Sequence, residues 1–123
     1  MKLQESREDY LERILMLEIK LGQVKSIDIA SDMNFSKASV SIAMKKLKDS
    51  NYITIDDKGY IHLTETGLEI AKNIYDRHLT LTKALMLLGV KEEIAKIDAC
   101  KIEHDLSQET YTCIKNHIEN YNE

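Results

Sequence analysis

The sequence predicts a mainly α chain: a winged helix-turn-helix domain followed by an all-helical domain. Three observations carry that reading. Two short amphipathic segments, one opening at Ser26 and one at Ser36, are joined by the brief turn Met33-Asn34-Phe35. Two segments rich in β-branched and aromatic residues follow at once, with a Gly-containing turn between them. From Thr64 onward the apolar residues recur at helical spacing, in a chain with no Pro and only four Gly.

Taken in order, Ser6 to Leu21 reads as a helix, with Tyr10, Ile14, Leu17 and Leu21 as its stripe and Leu11, Leu15 and Ile19 widening it. Ser6 is the expected cap, with Asp9 three residues on, and Gly22 the stop. Ser26 is expected to cap a short helix carrying Ile27, Ile29, Ala30 and Met33. Ser36 is expected to cap a third helix, to about Ser50, that buries Val40, Ala43, Met44 and Leu47. Tyr52–Ile55 and Tyr60–Leu63 then form a hairpin, because Asp56-Asp57-Lys58-Gly59 has turn chemistry and Gly59 can take positive φ. That hairpin is the wing. A long helix runs from Thr64 to about Leu88 and stops at Gly89. Lys91 to about Asp105 is another helix. Ser107 to about Tyr121 is the last, with Tyr111, Ile114, Ile118 and Tyr121 on one face. The expected domains are residues 1–64, the winged helix, and 65–123, an all-helical part.

No stretch has the roughly 18 consecutive apolar residues of a membrane span. The start, Met1 to Tyr10, is too polar for a signal peptide. Two cysteines are too few for a disulfide framework, so the expected setting is the reducing cytoplasm. The net charge of −4 taken alone argues against a nucleic-acid binder, but its distribution reverses that and fits specific docking better than general adhesion to polyanions. Residues 36–48 hold Lys37, Lys45, Lys46 and Lys48 and no acid, a basic stripe on an acidic body.

In a helix-turn-helix the second helix enters the major groove and its N-terminal residues meet base edges. Here that helix offers Ser36, Lys37, Ala38, Ser39, Ser41, Ile42, Lys45 and Lys46, and the wing tip adds Lys58. Hydroxyls at Ser39 and Ser41 suit base edges or phosphates, and Ala38 is small enough to lie on a thymine methyl. The lysines suit phosphates. A second constellation suits a metal. Asp9 and Glu12 share one side of the first helix, with Glu8 and Glu5 as nearby alternatives. Cys100, Glu103 and His104 stand at i, i+3 and i+4, and His78 on the long helix can add an imidazole. Such a mixture of N, O and S donors fits a transition ion.

With these residues in hand, the chain resembles the metal-dependent repressors of the DtxR/MntR type over essentially its whole length. The resemblance rests on Glu8-Asp9-Tyr10-Leu11-Glu12, Ser26-Ile27-Asp28-Ile29-Ala30, Ser39-Val40, Leu63-Thr64-Glu65-Thr66-Gly67, Arg77-His78, Leu88-Gly89-Val90 and Cys100 to Ser107. It implies a homodimer on a double-stranded DNA operator, with Mn(II) or Fe(II) as corepressor, and no small-molecule substrate. Residue by residue, Asp9, Glu12, His78, Cys100, Glu103 and His104 match the regulatory site of that family. The match is a hybrid: Asp9 and Glu12 look like the manganese-sensing branch, whereas Cys100 looks like the iron-sensing one. The ancillary site of the iron branch falls on Thr82 and Lys96 and is expected to fail, since a charged Lys cannot ligate. The resemblance is to the short, two-domain kind, without a third SH3-like domain.

The expected function is metal-dependent repression, with metal tying the DNA-binding and dimerising lobes together and so restricting the spread of the two reading helices. The thiol favours Fe(II) as the biological ion, with Mn(II) next; Zn(II) and Co(II) are expected to bind in vitro. The alternative is a metal-independent winged-helix interaction or DNA-binding module whose His and Cys are structural. A metalloenzyme is disfavoured, because no Ser-His or Cys-His nucleophile arrangement is visible.

Overall fold

The computed structural model describes residues 3–121, and the side-chain surroundings of residues 6–120. The elements run α1 (Leu3–Leu21), β1 (Val24–Lys25), α2 (Ser26–Met33), α3 (Lys37–Asp49), β2 (Ile53–Ile55), β3 (Tyr60–Leu63), α4 (Glu65–Leu87), α5 (Glu92–Ile102) and α6 (Gln108–Tyr121). Two compact units divide within α4, Met1–Lys72 and Asn73–Glu123. The side chains of Glu5 and Tyr121, both singled out from the sequence, lie outside the described residues.

The first unit is the winged helix. α1 packs on α2, β1 and β3, and α2 packs on α3. Leu11, Ile14, Leu15, Leu17, Val24, Ile29, Val40, Met44, Leu47, Ile53 and Ile61 are buried, each fully buried aliphatic contributing about 1.5–3 kcal/mol. Ala43 is only half-buried, so the α3 stripe is narrower than its spacing suggests. The sheet is antiparallel, order β1-β3-β2, with Val24 opposite Ile61 and Thr54 opposite His62. Among the described residues, no helix is long and apolar enough to cross a membrane.

Several expected boundaries shift. α1 already contains Ser6, which therefore cannot cap it. Its stripe ends at Leu17, leaving Ile19 and Leu21 exposed. Lys25, not Ser26, is the cap residue of α2: its backbone N–H donates to Asp28 Oδ2 at 2.9 Å, the acid three residues into the helix satisfying an otherwise orphan donor. Ser36 does cap α3, accepting from Ser39 N at 3.1 Å. Asn34 closes α2 in the left-handed region (φ 58°).

The second unit holds most of α4, with α5 and α6. Ile74, Leu81, Ala95, Ala99, Tyr111 and Ile118 are buried. Ala95 and Ala99 put small side chains on one face of α5, which permits close packing. Ser107 caps α6, accepting from Thr110 N at 3.1 Å. α5 stops at Ile102, short of the expected Asp105, with Glu103 as its cap.

Candidate metal centre and DNA-reading face

In the second unit, α4 presents His78 from its middle and α5 delivers Glu103 at its C-terminal end. Glu103 is wholly buried. His78 Nδ1 lies 3.0 Å from Glu103 Oε2, and His104 Nε2 lies 3.5 Å from Glu103 Oε1. His78, Glu103 and His104 are thus drawn together within one unit. The i, i+3, i+4 spacing of Cys100, Glu103 and His104 does not place all three on one helix as expected, because α5 ends at Ile102 and Glu103 and His104 lie in the turn after it. Cys100 stays on the last turn of the helix, half-buried and without a disulfide. In the first unit, Glu12 is buried and Asp9 and Glu8 are half-buried on α1. Burying a carboxylate is costly unless partners compensate it, so Glu12 and Glu103 mark their surroundings as polar by construction.

The donors fit a divalent transition ion: two imidazoles at a buried carboxylate combine the nitrogen and oxygen ligands that suit Mn, Fe, Co or Zn. Thr82 Oγ1 donates to His78 O at 2.7 Å, and Lys96 pairs with Glu92 at 3.1 Å on the α5 surface.

The Glu103–His104 turn is held by Arg77, which the sequence marks only as the neighbour of His78. Arg77 is buried. Its Nη1 donates to Glu103 O at 3.1 Å and to Leu106 O at 2.6 Å, and its Nη2 donates to Gln108 Oε1 at 3.2 Å. The guanidinium also faces the Tyr111 ring at 5.2 Å. A signal for it exists in the sequence: Arg77 falls between Ile74 and Leu81 at apolar-stripe spacing, where a solvated Arg is out of place.

On the first unit, α3 leaves Lys37, Ala38, Ser41, Ile42, Lys45 and Lys46 exposed, Ile42 at 60%. Ser36 and Ser39 are exposed too, but their hydroxyls bond each other at 2.8 Å, so part of their capacity is used locally. The wing tip exposes Lys58. Asp56 builds that tip, accepting from Lys58 N and Tyr60 N, both at 2.9 Å, and pairing with His62 Nε2 at 3.1 Å. The His62 contact, with the backbone donors, holds the Asp56 carboxyl below its ordinary range. Two further cations sit on aromatic rings, where sequence spacing gives no sign of them: Arg7 lies 5.1 Å over the Tyr52 ring and Lys25 lies 4.8 Å over the Tyr60 ring. Arg7, Lys46, Ile42 and Tyr52 line a groove of about 480 Å³ beside α3.

Comparison with known proteins matches a family model to each half of the chain. Residues 2–63 match the family model of the iron dependent repressor N-terminal DNA binding domain, and residues 64–123 match that of its metal binding and dimerisation domain. The chain is 36% identical over 121 residues to an HTH-type transcriptional regulator of Methanocaldococcus jannaschii, covering 97% of each. It is 34% identical over 103 residues to the transcriptional regulator MntR of Salmonella typhimurium, covering 84% of this chain and 66% of that one. The structure of the manganese regulator SloR aligns with a TM-score of 0.80 at 25% identity, covering 92% of this chain and 53% of the other. The chain therefore spans nearly all of one relative, about two thirds of the second and about half of the third.

Proposed function

This chain belongs to the iron-dependent repressor family, metal-dependent transcriptional regulators with DNA-binding and metal-binding dimerisation domains, and on that footing we propose that it represses metal-homeostasis genes when Fe(II) or Mn(II) is bound. The observation that carries the proposal is the buried Glu103 carboxylate with His78 and His104 at its two oxygens, in a chain whose other unit carries a basic helix with four lysines and, at its C-terminal end, the single acid Asp49. The metal centre we propose is Asp9, Glu12, His78, Cys100, Glu103 and His104. Residues 1–64 are read as the DNA-binding domain and 65–123 as the metal-binding and dimerising one. The DNA-contacting set is Ser36, Lys37, Ala38, Ser39, Ser41, Ile42, Lys45, Lys46 and Lys58.

The bound ion supplies a compact positive charge that offsets Asp9, Glu12 and Glu103 and favours one conformation over others, so its effect on DNA is a population shift. A Cys100 thiolate favours Fe(II) over Mn(II), with Zn(II) and Co(II) as in vitro substitutes. The solved structure described as that of the manganese regulator SloR supports Mn(II) as the second choice. The reading makes the protein a cytoplasmic homodimer on an operator and assigns it no catalytic step and no small-molecule substrate. Gel retardation of the native promoter fragment tests it: retardation with Mn(II) or anaerobic Fe(II), reversed by chelator, is expected. Equal retardation in chelator would return the chain to a metal-independent DNA-binding module.

A further inference from the structure

We propose that Arg77 is the positioning residue of the metal centre, the group that holds the Glu103–His104 turn in register with His78; the inference rests on the metal-centre reading above. The last carbonyls of a helix have no partners within it, and a cation placed there is favoured by the helix dipole. Arg77 serves this end of α5, but not from the surface. Its guanidinium is buried and reaches three successive parts of the corner: Glu103 O at the cap of α5, Leu106 O in the connecting turn and Gln108 Oε1 in the first turn of α6. Tyr111 covers its face. The planar fork of Arg can satisfy this many acceptors in fixed directions, whereas an ammonium cannot. Arg77 and His78 are consecutive on α4. Anchoring the turn to one therefore sets the other against the Glu103 carboxylate, seen in the 3.0 Å His78–Glu103 contact.

Groups that orient metal ligands govern affinity almost as the ligands do, with losses of about 10–100-fold on removal. The experiment is titration of the full chain with Co(II), followed by its ligand-field absorption, with far-UV circular dichroism and thermal unfolding of the metal-free protein alongside. Wild type is expected to bind, and His78→Ala to bind far more weakly. Arg77→Met keeps the aliphatic stem and loses the donors. It is expected to lose about 10–100-fold in Co(II) affinity at temperatures where it is fully folded, with an altered ligand-field spectrum. A residue serving only to fold the corner would lower the unfolding temperature and leave both affinity and spectrum of the folded protein unchanged, and that result overturns the proposal. Should Arg77→Met not fold, Arg77→Lys decides on the same two readouts, weaker binding supporting the proposal and unchanged binding overturning it. A wild type that binds no Co(II) overturns the metal-centre reading itself, and the inference with it.

Discussion

Gly67 stands where a side chain has no room: a Cβ there would land on the backbone oxygen of Tyr52, which already accepts from Thr64 N at 3.1 Å. Thr64 Oγ1 in turn accepts from Gly67 N at 3.1 Å, so the wing and the start of α4 meet at one glycine. Gly67→Ala must push backbone against backbone and is expected to cost about 1–3 kcal/mol, read as a lower urea midpoint; an unchanged midpoint would mean that the junction yields freely. In the proposed centre, Cys100 is the residue that would set metal choice rather than fit. A sulfur ligand favours Fe(II), Co(II) or Zn(II), while a carboxylate favours Mn(II). Cys100→Glu should shift activation of DNA binding toward Mn(II) relative to Fe(II) under anaerobic conditions. Unchanged selectivity would mean that the sulfur does not choose the metal and that Cys100 contributes only its carbonyl or its bulk.

The elements show what a sequence states plainly and what it hides. The Val40, Met44 and Leu47 stripe and the Ser36 cap are legible because spacing and capping chemistry act within one helix. In the wing, Asp56-Asp57-Lys58-Gly59 is legible as a turn because Gly59 takes φ 88°. The Asp56–His62 pair is not, since it depends on the hairpin register that sets β2 against β3. β1 escapes the sequence because two residues give no periodicity; it exists only through its pairing with β3. The buried half of the site follows the same rule: spacing finds Glu103 and His104, but the early end of α5 and the grip of Arg77 come from tertiary packing. Two tests belong to these elements. On α3, Lys45→Ala should reduce the salt slope of DNA binding by about one unit, the share of a single neutralised phosphate; unchanged affinity and slope would place the DNA on another face. In the wing, the Asp56 carboxyl titrates below its ordinary value of 3.8 when folded. Its contribution is therefore fully present above the ordinary carboxylate range and is lost as pH falls through the lowered folded value. Amide shifts of Lys58 and Tyr60 should move together in acid, with a midpoint below 3.8. A midpoint at or above 3.8 would sink the assignment, and Asp56→Asn should remove the transition.

For the molecule as a whole, the decisive feature is apolar surface on the second unit that its own core does not use. Leu88 is 81% exposed and Ile97 55%, with Leu79, Leu87 and Ile94 also exposed. Ile118, which shares their apolar character in the sequence, is instead buried within the chain, because α6 turns that face inward. Single exposed hydrophobes are ordinary, but several on one small unit mark an interaction surface. A metal-binding and dimerisation domain covers this stretch. The expected state is a homodimer, seen by light scattering at micromolar concentration as twice the mass of one chain. Leu88→Glu combined with Ile97→Glu places two charges on that surface and should give monomers with unchanged helicity. A wild type that is monomeric with and without metal would sink the prediction. The consequence reaches DNA: a symmetric pair of reading helices demands half-sites about one helical turn apart, or a multiple of it. The charged double variant should then bind an isolated half-site as wild type does, yet lose its preference for the paired site. If it retained that preference, recognition would be the property of a single chain and the dimer would have no part in choosing the operator.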